Sequence, residues 1–196
     1  WTKEIRHYIL RTLHASRNTF ILEVGCGTGA VLAQIFQDGY RHVFGVDIAL
    51  SGLTFAHDHN PHLRLTCADG FKLPFPNRPF AITLCHYFLL WITDPLAIML
   101  EMKRVTRKGG FLVILAEPDY QSRKDEPPEL RKVGELQNQA LQSLGAHLDM
   151  GKQVRSLFEK LQLQDIHVSM LKPTSMAYSP KKGLLEHQVI ASDLQT

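Results

Sequence analysis

The stretch ILEVGCGTGAV, Ile21 to Val31, sets glycine at every second position directly after a run of strand-forming residues. Glycine permits positive φ and lets another group approach the main chain without meeting a Cβ, so this is a sharp strand-to-helix turn with a bare backbone. The strand before it spans Phe20 to Val24. The helix after it shows an apolar face at Val31, Leu32, Ile35 and Phe36 and stops at Asp38-Gly39, where glycine suits a C-terminal cap. What the bare backbone faces is the question on which the fold and the function both turn.

Working outward, the alternation repeats. A strand is predicted over His42 to Val46, a helix over Leu50 to His57, a short strand over Leu63 to Cys67, a turn-rich loop KLPFPNRP, and a buried strand over Phe80 to Leu84. A helix over Pro95 to Val105 and a strand over Gly110 to Ala116 follow. Ahead of the glycine stretch, Ile5, Tyr8, Ile9 and Leu13 recur at helical spacing in an opening helix within residues 1–16. Strands alternating with helices of this length predict an α/β fold: a doubly wound, mostly parallel sheet with helices on both faces.

Beyond Ala116 a proline-bearing loop, EPDYQSRKDEPPE, leads into helical spacing at Leu130 to Leu144 and Val154 to Leu161. A strand is predicted at Asp165 to Leu171, and helical spacing at Leu184, Leu185, Val189 and Ile190. The expectation is one domain over residues 1–196, with a core at 20–171 and a C-terminal extension at 172–196. Because the chain opens on Trp1 rather than Met, a preceding piece is expected to be missing.

A chain of 196 residues, 44% of them hydrophobic, can bury a sizeable core. Its three cysteines, Cys26, Cys67 and Cys85, are too few and too odd in number for a disulfide framework, which points to a reducing, cytoplasmic setting. The longest apolar runs are too short to span a bilayer, so no membrane partner is expected. A net charge of +3 without any block of like charges gives no support to nucleic acid as a partner.

Gly25, Gly27 and Ala30 satisfy the G-x-G-x-x-A form of the dinucleotide fingerprint, and Asp47 closes the second strand where a carboxylate would take a ribose diol. A nicotinamide cofactor is therefore one reading; a phosphate loop fits less well, because no Lys-Ser or Lys-Thr follows the glycines. Three features favour S-adenosylmethionine. Glu23, in the strand just before the loop, would repel a pyrophosphate but attract an ammonium. Asp69, in CADG after the third strand, is placed to accept from an adenine amine. The loop GCGTG is dense in glycine, as a methionine tail laid against backbone requires.

In these motifs the sequence resembles the class I S-adenosylmethionine-dependent methyltransferases, in particular the small-molecule branch that includes ubiquinone-biosynthesis-type enzymes. LEVGCGTG, GVDIA, ADGFKLPFP, ITLCHYFLLW and RVTRKGG match the family's successive motifs over Phe20 to Ala116, with a thinner likeness to about Leu171. The resemblance implies that Glu23 organises the methionine end and that Gly25, Cys26, Gly27, Thr28 and Gly29 line it. Asp47 would hold the ribose hydroxyls and Ile48 pack on the adenine, with Ala68, Asp69, Gly70 and Cys85 completing the cofactor site. Two positions depart from the family pattern: Ala81 replaces an aspartate and Lys108 a proline. The family's final antiparallel strand is not evident after Leu171.

For the acceptor, His86 and Tyr87 follow the fourth strand, and Glu117, Asp119 and Tyr120 follow the fifth, at the carboxyl edge where ligands bind in such folds. His86 and Glu117 are the candidates for a general base. Tyr8, Tyr87, Trp91, Asp119 and Tyr120 are candidates for a pocket wall, with the opening helix carrying Trp1 and Ile5 as its cover. Where amino-methyltransferases carry Asn/Asp-Pro-Pro-Tyr, CHYF stands instead. Despite ten histidines, no metal-binding spacing occurs, so no metal is expected. The function expected is methyl transfer from S-adenosylmethionine, leaving S-adenosylhomocysteine, to an O, N or C atom of a small molecule. An NAD(P)-dependent oxidoreductase and a catalytically silent cofactor-binding module remain as alternatives.

Overall fold

The computed structural model describes residues 3–169, with side chains from Arg6 onward. Its elements run α1 (Lys3–Thr12), β1 (Phe20–Val24), α2 (Ala30–Gln37), β2 (His42–Asp47), α3 (Leu50–His59), β3 (Arg64–Cys67), β4 (Phe80–His86), α4 (Pro95–Val105), β5 (Thr106–Leu115), α5 (Arg131–Ser143) and α6 (Met150–Lys160). The strands form one sheet in the order β3-β2-β1-β4-β5, and every pairing is parallel. The glycine stretch begins on the central strand, and the chain order reverses between β1 and β4. That reversal opens a crevice at the carboxyl ends of those strands.

Strand alternation divides the core in two. Leu22 and Val24 of β1 join Val46, Phe80, Ile98 and Met102 in one apolar layer, which also takes Val154 and Leu157 of α6. Ile21 joins Leu10, Leu32, Ile35, Ile82 and Leu84 in the other, beneath α1, α2 and α3. Helices thus cover both faces, as predicted. Local chemistry fixes several boundaries. Asp94 caps α4 by accepting from the Ala97 N–H at 2.9 Å, with Pro95 at the first helical position. Gly39, at φ 95°, follows α2 in the left-handed conformation. The KLPFPNRP loop is held by α4: Glu101 accepts from Leu73 N–H at 2.8 Å, and Arg104 donates to the carbonyls of Leu73 and Phe75 at 3.1 and 2.9 Å.

Three expectations need correction. β5 starts at Thr106 rather than Gly110, and its pairing with β4 is interrupted between Phe80 and Ile82, where RKGG bulges. Residues 165–169 form no strand, and the rest of the segment predicted to Leu171, like the helical spacing near Leu184, lies outside the described residues. Among the described residues the sheet holds no antiparallel strand. The third correction is rotational. In α1 the buried positions are Arg6 and Leu10, whereas Tyr8, expected on the inner side, is exposed. The helix turns to bury Arg6, whose guanidinium donates to the Gln34 side-chain carbonyl of α2, while His7 meets Asp38 at the other end of that helix.

Candidate functional site

All three glycines of the loop have positive φ, at 72°, 49° and 69° for Gly25, Gly27 and Gly29. Their bare faces do different work. A Cβ on Gly25 would lie 2.1 Å from Cδ2 of Phe88, so the Phe88 ring already fills that space. A Cβ on Gly29 would meet Ala56 Cβ at 3.0 Å and Leu63 Cδ1 at 3.2 Å. On Gly27 it would meet nothing within 4 Å. Two glycines are therefore bare for packing, and Gly27 is the one bare toward open space.

The loop is pinned by backbone and by one carboxylate. Gly25 and Cys26 N–H donate to the Val46 carbonyl at 2.8 and 3.1 Å. Asp47 accepts from Gly27 N–H through Oδ2 at 2.7 Å and from Ala49 N–H through Oδ1 at 2.8 Å, so it joins the loop to the start of α3. Beside it Ile48 is 74% exposed, a large apolar side chain left uncovered, and Thr28 is exposed as well. Ala68 N–H donates to the Asp47 carbonyl at 3.0 Å, and Asp69 accepts from Phe71 N–H at 2.9 Å, keeping an exposed carboxylate at the end of β3. Gly70 packs where a Cβ would lie 2.9 Å from Ile98 Cδ1. The Cys26 thiol points inward onto Gly45. Cys85, expected among the cofactor contacts, is 0% exposed in the core beneath β4, so it is removed from that set.

Glu23 is 2% exposed, and its Oε2 has no hydrogen-bond partner among the described residues. Burial raises its pKa to about 8; the Arg6 guanidinium opposes the rise and the Asp47 charge adds to it. Arg6, itself 2% exposed, is a buried residue beside the site that the helical pattern missed. The signal was there: Arg6, Leu10 and Leu13 fall at i, i+4 and i+7, which sets a cation on an apolar stripe. His86 lies on the same face of the sheet by its spacing from Ile82 and Leu84. Its Nε2 is buried without a partner among the described residues, and burial, followed by the charge of Arg6, lowers its pKa. Both effects favour the neutral imidazole. Glu23, His86 and Arg6 thus belong to one electrostatic cluster at the crevice.

At the β4–β5 edge both strands leave the sheet through left-handed residues, Tyr87 at φ 52° and Ala116 at φ 57°, and Tyr87 N–H donates to the Leu115 carbonyl at 2.9 Å. The Tyr87 and Tyr120 hydroxyls are 2.5 Å apart, and Trp91 meets the Tyr87 ring edge-on with centroids 6.5 Å apart. Burial and the bond to Tyr120 push the Tyr87 phenol up. Glu117 does not offer a free carboxylate, which corrects its assignment as a base. Its Oε1 accepts from Phe88 and Leu89 N–H at 2.8 and 2.9 Å, and its Oε2 from Leu90 N–H at 3.1 Å. Burial raises the Glu117 pKa while those three donors pull it down. Asp119 caps the short turn at Tyr120–Ser122 and pairs with Lys152 at 3.4 Å, which makes it structural too. A cavity of about 660 Å³ lies beyond Tyr120 and is lined by Arg123, Lys124, Arg131 and Asn138 among others. Trp1 lies outside the described residues, as does the side chain of Ile5.

Residues 22–114 match the family described as a methyltransferase domain. A Schizosaccharomyces pombe protein described as an uncharacterized methyltransferase is 30% identical over 83% of this chain and 63% of its own length. The family match and the methyltransferase relatives together support a class I S-adenosylmethionine-dependent methyltransferase. A Corynebacterium urealyticum demethylmenaquinone methyltransferase is 32% identical over 58% of this chain and 46% of its own length. A Methanococcus maripaludis structure assigned to the S-adenosyl-L-methionine-dependent methyltransferases superposes with a TM-score of 0.66 over 86% of this chain and 80% of that one; at 10% identity it speaks for the fold alone. This methyltransferase chain spans less than two thirds of the length of both curated relatives. Among the described residues no group of His, Cys, Asp and Glu is arranged to hold a metal ion, and no helix is long and apolar enough to cross a membrane.

The residues present fit S-adenosylmethionine. Gly27 leaves room at the backbone, Glu23 keeps an unpartnered buried oxygen suited to an ammonium, and exposed Ile48 offers an apolar face beside Asp47. Leaving one buried carboxyl oxygen unmet costs the fold about 1–3 kcal/mol, which makes the waiting Oε2 a feature that a cationic ligand would explain.

Proposed function

We propose that the chain transfers the methyl group of S-adenosylmethionine to an O, N or C atom of a small-molecule acceptor, leaving S-adenosylhomocysteine. The observation that carries this reading is the pairing of the open face at Gly27 with the buried, unpartnered oxygen of Glu23 on the strand that feeds it. In this reading Glu23 holds the ammonium, Asp47 the ribose hydroxyls with the lone pairs that Gly27 and Ala49 leave, Asp69 the adenine amine, and Ile48 the adenine face. The backbone of Gly25 to Gly29 carries the methionine end, with Ala68 and Gly70 at the adenine.

The bound cofactor supplies a methyl already activated by its sulfonium. What the protein adds is chiefly alignment of the nucleophile in a dry crevice, a contribution that reaches roughly 7–11 kcal/mol in favourable systems. His86 is the base this reading keeps: its Nε2 is buried and unpartnered among the described residues, its surroundings favour the neutral form, and it stands at the carboxyl end of β4. A positioned base of this kind adds about a hundredfold or more when the acceptor is a hydroxyl. Tyr87, Trp91 and Tyr120 form the wall on the acceptor side. The demethylmenaquinone methyltransferase relative supports the ubiquinone-type branch. The free cysteines Cys26, Cys67 and Cys85 are in keeping with a reducing cytoplasm, and no nucleic-acid partner is proposed.

Calorimetric titration with S-adenosylmethionine and, in parallel, with NAD(P) tests the cofactor. Saturable binding of the first only is expected, whereas preferential binding of NAD(P) would overturn the reading in favour of an oxidoreductase. Release of S-adenosylhomocysteine in the presence of candidate small-molecule acceptors then separates an enzyme from a silent binding module. His86→Ala is expected to reduce that release at least tenfold with little change in cofactor affinity.

A further inference from the structure

The contacts around Glu117 link two parts of the crevice that the sequence keeps far apart. Phe88 fills the space left by the missing side chain of Gly25, with ring atoms 2.1–2.7 Å from where a Cβ would stand. The backbone that carries this ring runs straight into the short turn at Leu89–Trp91, and the first N–H groups of such a turn have no partner within it. Glu117, from the other side of the β4–β5 seam, takes the N–H groups of Phe88, Leu89 and Leu90 on its two oxygens. On the same seam Tyr87, one residue before Phe88, is held in a left-handed conformation, and its hydroxyl meets that of Tyr120. A ring that is to fit under a glycine cannot drift by an ångström without either striking the loop or leaving a void, so the grip on its backbone sets how the loop sits.

We propose that Glu117 is a positioning residue: by gripping the N–H groups of Phe88, Leu89 and Leu90 it seats the Phe88 ring against Gly25, so the segment after β5 sets the shape of the glycine loop. The step from loop shape to cofactor affinity rests on the reading of that loop as the S-adenosylmethionine site. The grip itself does not. Because the ring lies between the clamp and the loop, Glu117 acts on cofactor binding through Phe88, and its loss and that of the ring are not independent. An acid acting as a base would behave otherwise, leaving cofactor affinity untouched.

The test uses the full chain with Glu117→Ala, Glu117→Gln, Phe88→Ala and the double variant Glu117→Ala/Phe88→Ala. Hydrogen exchange without ligand reads the grip: the amides of residues 88–90 should exchange at least tenfold faster in Glu117→Ala, and those of Gly25 to Gly29 should follow. Titration with S-adenosylmethionine should show about tenfold weaker binding for Glu117→Ala. Glu117→Gln, which keeps a carbonyl acceptor for Phe88 and Leu89, should recover to within about threefold of the parent. In the Phe88→Ala background the Glu117→Ala change should add little. Faster exchange at residues 88–90 with unchanged loop amides and unchanged affinity would overturn the proposal, as would strictly additive losses in the double variant. A Glu117→Gln variant that binds the cofactor fully yet releases no S-adenosylhomocysteine would restore the base instead. Should Glu117→Ala fail to fold, Glu117→Gln and Phe88→Ala carry the comparison. If the parent chain binds no S-adenosylmethionine, the functional reading fails, and the exchange of Gly25 to Gly29 alone judges the clamp.

Discussion

The corner at the ends of β1 and β2 and the corner at the ends of β4 and β5 are both sharp exits from the same parallel sheet, yet they treat their glutamates in opposite ways. At the first, Glu23 keeps an oxygen without a partner among the described residues, Gly27 faces empty space and Ile48 is uncovered. At the second, Glu117 has each oxygen engaged, Asp119 caps a turn, and the Tyr87 and Tyr120 hydroxyls satisfy each other. The difference teaches where to look for a ligand. Of the two glutamates, the one with an unmet oxygen, Glu23, suits a ligand, whereas Glu117 is saturated by backbone N–H groups and serves as scaffold.

Substitutions at the two corners should therefore separate. The largest effect is expected for Gly25→Ala, where a left-handed backbone adds about 1–2 kcal/mol to an overpacking term of about 1–3 kcal/mol against the Phe88 ring. Urea denaturation should show the combined loss, and adding Phe88→Ala should recover the packing part alone. Gly27→Val has only the backbone term, yet it should abolish S-adenosylmethionine binding in calorimetry, since its side chain enters the open space. Equal destabilisation by the two, with the cofactor still bound by the Gly27 variant, would break the comparison.

Glu23 sharpens it through pH. Its folded pKa of about 8 lies above its ordinary value of 4.5, so the folded chain holds this proton more tightly than the unfolded one. Stability from this group is fully present below about 4.5 and is lost as pH rises through about 8. Glu23→Gln should flatten that decline and stabilise the ligand-free protein at pH 9 by about 1–3 kcal/mol, while weakening the cofactor. A melting curve with the same pH dependence in both proteins would remove Glu23 from its role. A loss chiefly in binding is expected at Asp47. Asp47→Asn should weaken S-adenosylmethionine by about 1.5–3 kcal/mol through lost charge-assisted bonds, and lower stability by about 1 kcal/mol because Gly27 and Ala49 N–H lose part of their acceptor.

The first corner was legible in the sequence because its parts are neighbours along the chain. Strand, glycines and the carboxylate at the end of the next strand fall within 27 residues, from Ile21 to Asp47, and each has a local signature. The second corner was not. Glu117 bonds to backbone N–H groups 27 to 29 residues away, and backbone donors carry no side-chain signal. The same limit explains α1, where Ile5, Tyr8 and Ile9 read as the inner face. The purely apolar reading passed over Arg6, which the structure buries with Leu10 and which donates to the Gln34 side chain. Cys85 was misassigned for a simpler reason: alternation along β4 sends its side chain into the core, whatever its place near the motif.

The left-handed exits of β4 and β5 bear on engineering this chain. Tyr87 spends its unfavourable backbone conformation on a side chain that reaches Tyr120, so it should be left alone. Ala116 has the same conformation, at φ 57°, and only a methyl group to show for it. Ala116→Gly relieves a conformational cost of about 1–2 kcal/mol and gives back about 0.5–1 kcal/mol as added freedom of the unfolded chain. A rise in melting temperature of a degree or two without loss of S-adenosylmethionine binding is the expected result, and it would provide a sturdier starting point for acceptor screening.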